Sequence, residues 1–364
     1  MKVMIVGPDR QDPGGVANYY NAVFPRLGDN EVTPYYLAIG STYAGSGVKH
    51  IITDQIRYWK ALSEYKPDLV HLNPSLDLKS YLRDGLFIWQ AKLRNRLVLV
   101  FFRGWNESFE RTVSGSLRWF FQCTYARADA FIVLASKFSD RLRGWGVQTP
   151  IILGTTTVAD ELLEGFSMDL KAEDLRQSQP VQLLFLGRLE KEKGVMDVLE
   201  AVTQLLEEGA EIELTIAGDG PMMNEVQQVV ARLDRYRDKI RVIGYVRGNA
   251  KQDVLRSHHI YCFPTQYMEG MPNSVLEAMA FGMPIVTCPA GGIADFFEDN
   301  KMGVLLPDRE SGGIKTAIIS LISERNRLAE IGRYNHEYAK TRFLASCTAQ
   351  SLRTYYKSVV SSGR

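Results

Sequence analysis

Twelve short runs rich in Val, Ile, Leu, Phe and Tyr punctuate this chain, with amphipathic stretches between most of them. Six come early: KVMIVG (2–7), VTPYYLAI (32–39), DLVHLN (68–73), RLVLVFF (96–102), AFIVLA (130–135) and PIILG (150–154). Six come late: VQLLFLG (181–187), EIELTIAG (211–218), IRVIGYV (240–246), HIYCFPT (259–265), PIVTC (284–288) and GVLLP (303–307). Nearly continuous apolar runs of this length suit parallel strands buried on both faces, and the helical patterns between them make a βα repeat. Between the two sets, residues 155–180 lose the strand signal and fill with polar residues, which marks a linker, placed at 161–180. The expectation is an α/β chain of two Rossmann-like, doubly wound domains in tandem, over 1–160 and 181–344. After residue 310 only helical pattern remains.

At 364 residues with 45% hydrophobic content, the chain is long enough for two cores of ordinary size. Residues 1–150 carry 19 Lys/Arg against 13 Asp/Glu (+6), leaving −5 on the rest by the same count. That split hints at an anionic surface near the first half without supporting a nucleic-acid partner. Four cysteines far apart, with no CxxC spacing, fit a reducing cytoplasm. The first apolar run is too short for a signal-peptide core. Gly282, Pro284, Pro289, Gly291 and Gly292 break up the longest uncharged stretch, Ala278 to Ala294, so no membrane span is expected.

Two such domains facing each other create a central cleft, and ligands of these sheets bind beyond the carboxyl ends of strands. After the first strand, Gly14-Gly15 either let backbone N–H groups approach a ligand or merely turn the chain into a helix; the GxGxxG of a dinucleotide site is missing. After LLFLG come Arg188 and Lys193, with a helix opening at Gly194. A guanidinium that forks onto two oxygens and a point-charge ammonium suit a diphosphate, although RLEKEK also reads as a solvated charge run. Position favours the ligand. In YMEGMPNSVLEAMAFGMPIV, Glu277 closes a capping box with Ser274, with Gly282 as the helix stop, or else it meets vicinal hydroxyls, since a carboxylate on so apolar a helix needs partners. Glu269, before the turn, is expected to face the cleft.

The blocks FLGRLEKEKG, LTIAGDGP, VIGYV, EGMPNSVLEAMAFGMPIV and PAGGIADFFEDNKMGVLLP, in order through about residues 181–307, resemble the donor domain of family-four retaining glycosyltransferases (glycosyl transferases group 1) of the GT-B fold. The first half resembles that family more loosely, through MKVMIVG and PGGVANYY. The resemblance implies that Arg188 and Lys193 bind the nucleotide diphosphate, Glu277 the ribose, and Glu269 the donor sugar, with Arg188, Lys193 and Glu269 as the catalytic set. It extends donor binding to Gly187, Gly270, Met271, Pro272, Asn273 and Ser274, brings the backbone at Gly244 and Tyr245 to the base, and closes the Gly14-Gly15 loop on phosphates or acceptor. It also implies that a C-terminal helix, about 345–364, returns to the first domain.

Where many members carry a histidine after the fourth strand, this chain has Arg103. That arginine is expected either to meet an anionic group of sugar or acceptor, with Asn73 as a second contact, or to pair with Glu107. Asp295 stands where a glutamate is more usual. No D-x-D occurs and the histidines lack ligand spacing, His258 and His259 reading as structural. No metal or other cofactor is therefore expected, and charge on the leaving diphosphate falls to Arg188, Lys193 and helix N-termini. The reading is a metal-independent retaining transferase moving a hexose-type sugar from a nucleotide sugar to a glycan or lipid-linked acceptor, in bacterial surface polysaccharide assembly. A nucleotide-sugar epimerase and a non-catalytic donor-fold protein stay open. The stretch 114–128, with Leu117, Phe120, Phe121 and Tyr125 near Arg118 and Arg127, reads either as a core helix or as a membrane-surface helix at the inner face of the membrane.

Overall fold

The structure is a computed structural model that describes residues 1–12, 14–40, 48–267 and 270–363. Over the described residues the chain divides into two compact units, Met1–Thr157 with Met268–Met271 and Ala345–Arg364, and Val158–Tyr267 with Pro272–Leu344.

The six early runs become β1 Lys2–Gly7, β2 Thr33–Ala38, β3 Leu69–Leu72, β5 Leu97–Phe101, β7 Ala130–Val133 and β8 Ile151–Leu153. Two short strands that no run announced, β4 Ser75–Leu76 and β6 Gly104–Trp105, pair with each other. The six late runs become β9 Val181–Leu186, β10 Ile212–Ala217, β11 Ile240–Gly244, β12 Ile260–Phe263, β13 Ile285–Thr287 and β14 Gly303–Leu305. Helices α1 Gly15–Val23, α2 Val48–Tyr65, α3 Leu78–Leu93, α4 Glu107–Ser114, α5 Arg118–Cys123 and α6 Ser136–Gly144 belong to the first unit. The second unit holds α7 Met168–Gln177, α8 Val195–Glu207, α9 Met223–Arg232, α10 Gly248–Ser257, α11 Asn273–Ala280, α12 Ile293–Phe296, α13 Ser311–Ser323 and α14 Arg325–Arg342. The last helix, α15 Ala345–Ser362, groups with the first unit.

The first sheet is ordered β2-β1-β3-β5-β7-β8 and the second β11-β10-β9-β12-β13-β14, every pairing parallel. Strands β3, β7 and β12 are buried at every position, because parallel crossovers put helices on both faces of a sheet. In the second sheet the chain steps from β9 outward to β10 and β11, then returns to the other side of β9 for β12. The connections after β9 and β12 therefore leave in opposite directions and open a crevice between those two strand ends. The first sheet has the same switch point between β1 and β3.

Residues 161–180 are not a linker. They carry α7, which packs on α14: a Cβ added at Gly332 would come within 2.9 Å of Leu175 Cδ1. The buried Lys171 ammonium donates to the carbonyls of Arg256, at 2.8 Å, and His258. The 114–128 stretch takes its core reading: Phe121 and Tyr125 are fully buried and Phe120 is 9% exposed, among the rings of Tyr81, Phe102 and Trp145. His258 and His259 are structural as well. His258 Nδ1 lies 2.6 Å from Val254 O, and His259 bridges the Gln182 amide and Asp174 Oδ2 at 3.0 and 2.9 Å. Burial holds both imidazoles below their ordinary range, His258 at about 4.

Candidate functional site

At the end of β9 the chain is packed too tightly for side chains. A Cβ at Gly187 would meet Phe263 Cε2 at 2.9 Å, and one at Gly218 would fall 1.8 Å from Gly187 O. The buried Tyr261 hydroxyl donates to Leu186 O at 2.7 Å, locking the end of β9 to β12. The two loops beyond are tied in turn, as the Gln266 amide donates to Glu192 O at 2.9 Å. Between them sits Lys193, 8% exposed, its ammonium 4.7 Å from the Tyr267 ring centroid and 5.6 Å from that of Phe263. Burial lowers its pKa to about 8, against the pull of Glu190 toward the charged form. Gly194 follows in the left-handed region (φ +79°), where a Cβ would also strike Pro264 at 2.7 Å, and it opens α8 with no side-chain cap. The first amides of α8 and a buried cation therefore share one end of the sheet, an arrangement that favours an anion. Arg188, largely exposed, sets its Nε 3.0 Å from Glu190 Oε1.

On the β12 side, α11 begins at Asn273 with Pro272 as its N-cap and no side chain capping it. The capping box does not form, because Ser274 already lies inside the helix. The Glu277 carboxylate, 8% exposed, instead holds Lys251 Nζ, with both oxygens at 2.5 Å. Gly282 does stop the helix: at φ +67° it donates to Met279 O, and the Met283 amide reaches Ala278 O. Asn273 Oδ1 is buried without a hydrogen-bond partner at the same helix start. Burial holds the Tyr261 phenol well above its ordinary range, opposed by a hydrogen bond with Ser274 and reinforced by the Glu277 charge. At the neighbouring end of β11, Gly244 takes φ +72° and accepts from the Gly218 amide at 2.7 Å, and Tyr245 projects outward, 72% exposed. Gly187, Arg188, Lys193, Pro272, Asn273, Ser274 and Glu277 thus gather around the β9/β12 switch point. Gly270 and Met271 group with the first unit, and Glu269 lies outside the described residues.

The remaining residues lie in the first unit. Gly14 is the N-cap of α1 and Gly15 its first residue, and a Cβ on either meets nothing within 4 Å. Asn73, just past β3, accepts from Tyr20 Oη at 2.9 Å and donates to Val6 O at 3.0 Å, so its amide clamps β1 to β3. Arg103 follows β5 and lays its guanidinium 3.9 Å from the Tyr19 ring centroid and 4.2 Å from that of Phe101. It does not pair with Glu107, whose carboxylate lies 3.6 Å from Lys137, and its Nη1 is buried without a hydrogen-bond partner. Burial, aided by the Arg103 charge, pushes the neighbouring His71 down to about 3, so that ring is neutral where it meets the Tyr356 hydroxyl at 2.7 Å. Among the described residues no group of three or more His, Cys, Asp or Glu side chains is gathered as a metal ion would require.

Sequence reasoning missed Lys251 and Tyr261. Lys251 is one cation of an amphipathic helix and Tyr261 one ring of a buried strand, and neither local pattern reports a partner across the sheet.

Residues 168–338 match the family model for glycosyl transferases group 1. Curated relatives include the alpha-D-kanosaminyltransferase of Streptomyces kanamyceticus, 23% identical over 61% of this chain and 59% of that protein. The amylovoran biosynthesis glycosyltransferase AmsK of Erwinia amylovora is 28% identical over 44% of this chain and 40% of its own length. The match thus spans between two fifths and three fifths of those relatives. Among solved structures, Anabaena Alr3699/HepE in complex with UDP-glucose superposes with a TM-score of 0.72 at 15% identity, over 98% of this chain and all of that one. The fold is GT-B, an α/β architecture of two Rossmann-like domains.

Proposed function

We propose, from the match of residues 168–338 to the family model for glycosyl transferases group 1, that the chain is a glycosyltransferase that takes its sugar from a nucleotide-diphosphate donor. The observation that carries this reading is the buried Lys193 ammonium beside the uncapped N-terminus of α8, across the β9/β12 switch point from the buried Glu277 carboxylate. A diphosphate supplies the anion that the first of these favours, and a ribose supplies two hydroxyls for the second. Lys193 and the α8 amides bind the diphosphate, and Arg188 swings from Glu190 onto it as negative charge develops on the leaving group. Glu269 takes the hydroxyls of the donor sugar, and Gly244 with Tyr245 borders the base. Because these cations and helix N-termini meet the leaving charge, the proposed reaction is independent of metal ions. It retains configuration, the acceptor attacking on the face the diphosphate leaves and giving its proton to a departing phosphate oxygen. The donated sugar is of hexose type, and the acceptor is a glycan or a lipid-linked sugar of surface polysaccharide assembly. The similarity to AmsK, an amylovoran biosynthesis glycosyltransferase, supports that setting. Arg103, with Asn73 and the Gly14-Gly15 loop, contacts sugar or acceptor from the first unit. Incubation with labelled UDP-, GDP- and ADP-sugars tests the reading. Transfer or slow hydrolysis of one donor, with the anomer retained, is expected, whereas an epimerised sugar or no turnover of any donor overturns it.

A further inference from the structure

Helix α2 is apolar on two sides. Tyr58, Ala61 and Leu62 face the core, yet Ile52, Ile56 and Trp59, at spacings of four and three residues, face water at 55, 62 and 41% exposure. On α3 the series Leu86, Trp89 and Leu93 does the same at 40, 47 and 56%. The two helices lie side by side, with the Tyr58 and Phe87 ring centroids 4.3 Å apart and Gln90 Nε2 donating to Gln55 Oε1 at 2.6 Å, so the exposed stripes flank one seam. Surface helices normally turn charged and polar residues outward. Six large side chains about half exposed present on the order of 600 Å², the top of the roughly 300–600 Å² reached by the largest patch of a typical monomer.

Cations frame the patch. Arg94 holds its guanidinium 3.9 Å from the Trp59 ring centroid, and Arg57 and Lys60 stand beside Ile56 and Trp59 with side chains 57 and 73% exposed. Residues 48–96 hold nine Lys/Arg against five Asp/Glu, and two of those five, Asp54 and Asp84, are buried. We propose that this α2/α3 face of the first unit docks on the surface of an anionic lipid bilayer. Trp59 and Trp89 then sit at headgroup depth with the aliphatic side chains just below, and Arg57, Lys60 and Arg94 meet lipid phosphates. A second copy of the chain fits the same face poorly, because it would set these cations against their own kind. Among the described residues no helix is long and apolar enough to cross a membrane, so the contact lies on the bilayer surface.

Docking of this kind needs no sugar transfer, so it can be measured apart from transferase activity. The full chain is floated with vesicles of phosphatidylcholine alone and of phosphatidylcholine mixed with phosphatidylglycerol, and its size is followed by light scattering over a range of concentrations. Binding to the mixed vesicles, weakened by salt and much lower on the neutral ones, is expected. The double variant Ile56→Ser/Trp89→Ser should lose ten-fold or more of that binding at unchanged melting temperature, and Arg57→Gln/Lys60→Gln should lose roughly ten-fold. No binding to either vesicle, equal binding to both, or full binding by Ile56→Ser/Trp89→Ser overturns the proposal. A concentration-dependent dimer that the same variant abolishes would assign the face to a second copy instead.

Discussion

The pair between Glu277 and Lys251 makes the ribose assignment testable, because stability and binding should respond to it separately. Replacing Glu277 by Gln leaves the Lys251 ammonium against a neutral amide. Stranding one member of a buried pair costs about 3–5 kcal/mol. The Lys251 side chain is 25% exposed against 11% for Glu277, so part of that charge can turn to water, and a loss of roughly 1–3 kcal/mol is expected. At roughly 2–4 °C per kcal/mol for a unit of this size, the melting temperature should fall by about 2–12 °C. Binding suffers separately, since Gln offers the ribose hydroxyls one neutral acceptor in place of a carboxylate. That loss is about 1.5–3 kcal/mol, or roughly 10- to 150-fold in affinity. Adding Lys251→Met removes the stranded charge, so the double variant should recover most of the stability and none of the affinity. Calorimetric titration would use whichever of UDP, GDP or ADP binds the unaltered protein, beside its 2'-deoxy form, with thermal melts in parallel. If affinity returns together with stability in the double variant, Glu277 serves only to neutralise Lys251. The same conclusion follows if Glu277→Gln distinguishes the ribo from the deoxy form as well as the parent protein does.

Arg188→Ala should lower donor turnover by on the order of 10²-fold while the melting temperature moves by no more than about 2 °C, since Arg188 is exposed and makes only a surface pair; turnover within twofold of the parent would remove it from the leaving-group site. Lys193 is charged below about pH 8 and loses its proton above it, so nucleoside diphosphate affinity should be full near pH 7 and decline as pH rises through about 8. The Lys193→Arg variant stays charged and should show a flat profile over that range; an equally steep decline in it would place the titrating group elsewhere. Turnover should persist in EDTA, and an absolute requirement for Mg²⁺ or Mn²⁺ would refute the metal-independent mechanism.

The twelve apolar runs, their grouping into two sets and the glycine that ends α11 could all be read from the chain itself. Burial on both faces demands unbroken Val, Ile and Leu, and a left-handed residue demands glycine, so both requirements are written locally. The position of Lys193 was legible for the same reason, as it follows directly from where β9 ends. Sheet order was not, because strand runs of one composition can be laid side by side in many orders, and only crossover packing selects β11-β10-β9-β12-β13-β14. The α7 helix was hidden by its weak pattern. Leu170 is 72% exposed, and the helix forms because Leu175 and Lys171 dock on α14 and α10 rather than because its own sequence insists. The capping box was a local match that failed because the helix starts one residue before Ser274, and Glu277 pairs instead with a tertiary partner, Lys251. Helices α5 and α2 show the same limit from opposite sides. Both mix large apolar and basic residues, yet the surrounding structure buries Phe120 and Phe121 while leaving Ile56 and Trp59 in water. Periodicity reports that a face is apolar, and only the packed elements around it decide whether that face meets protein or solvent.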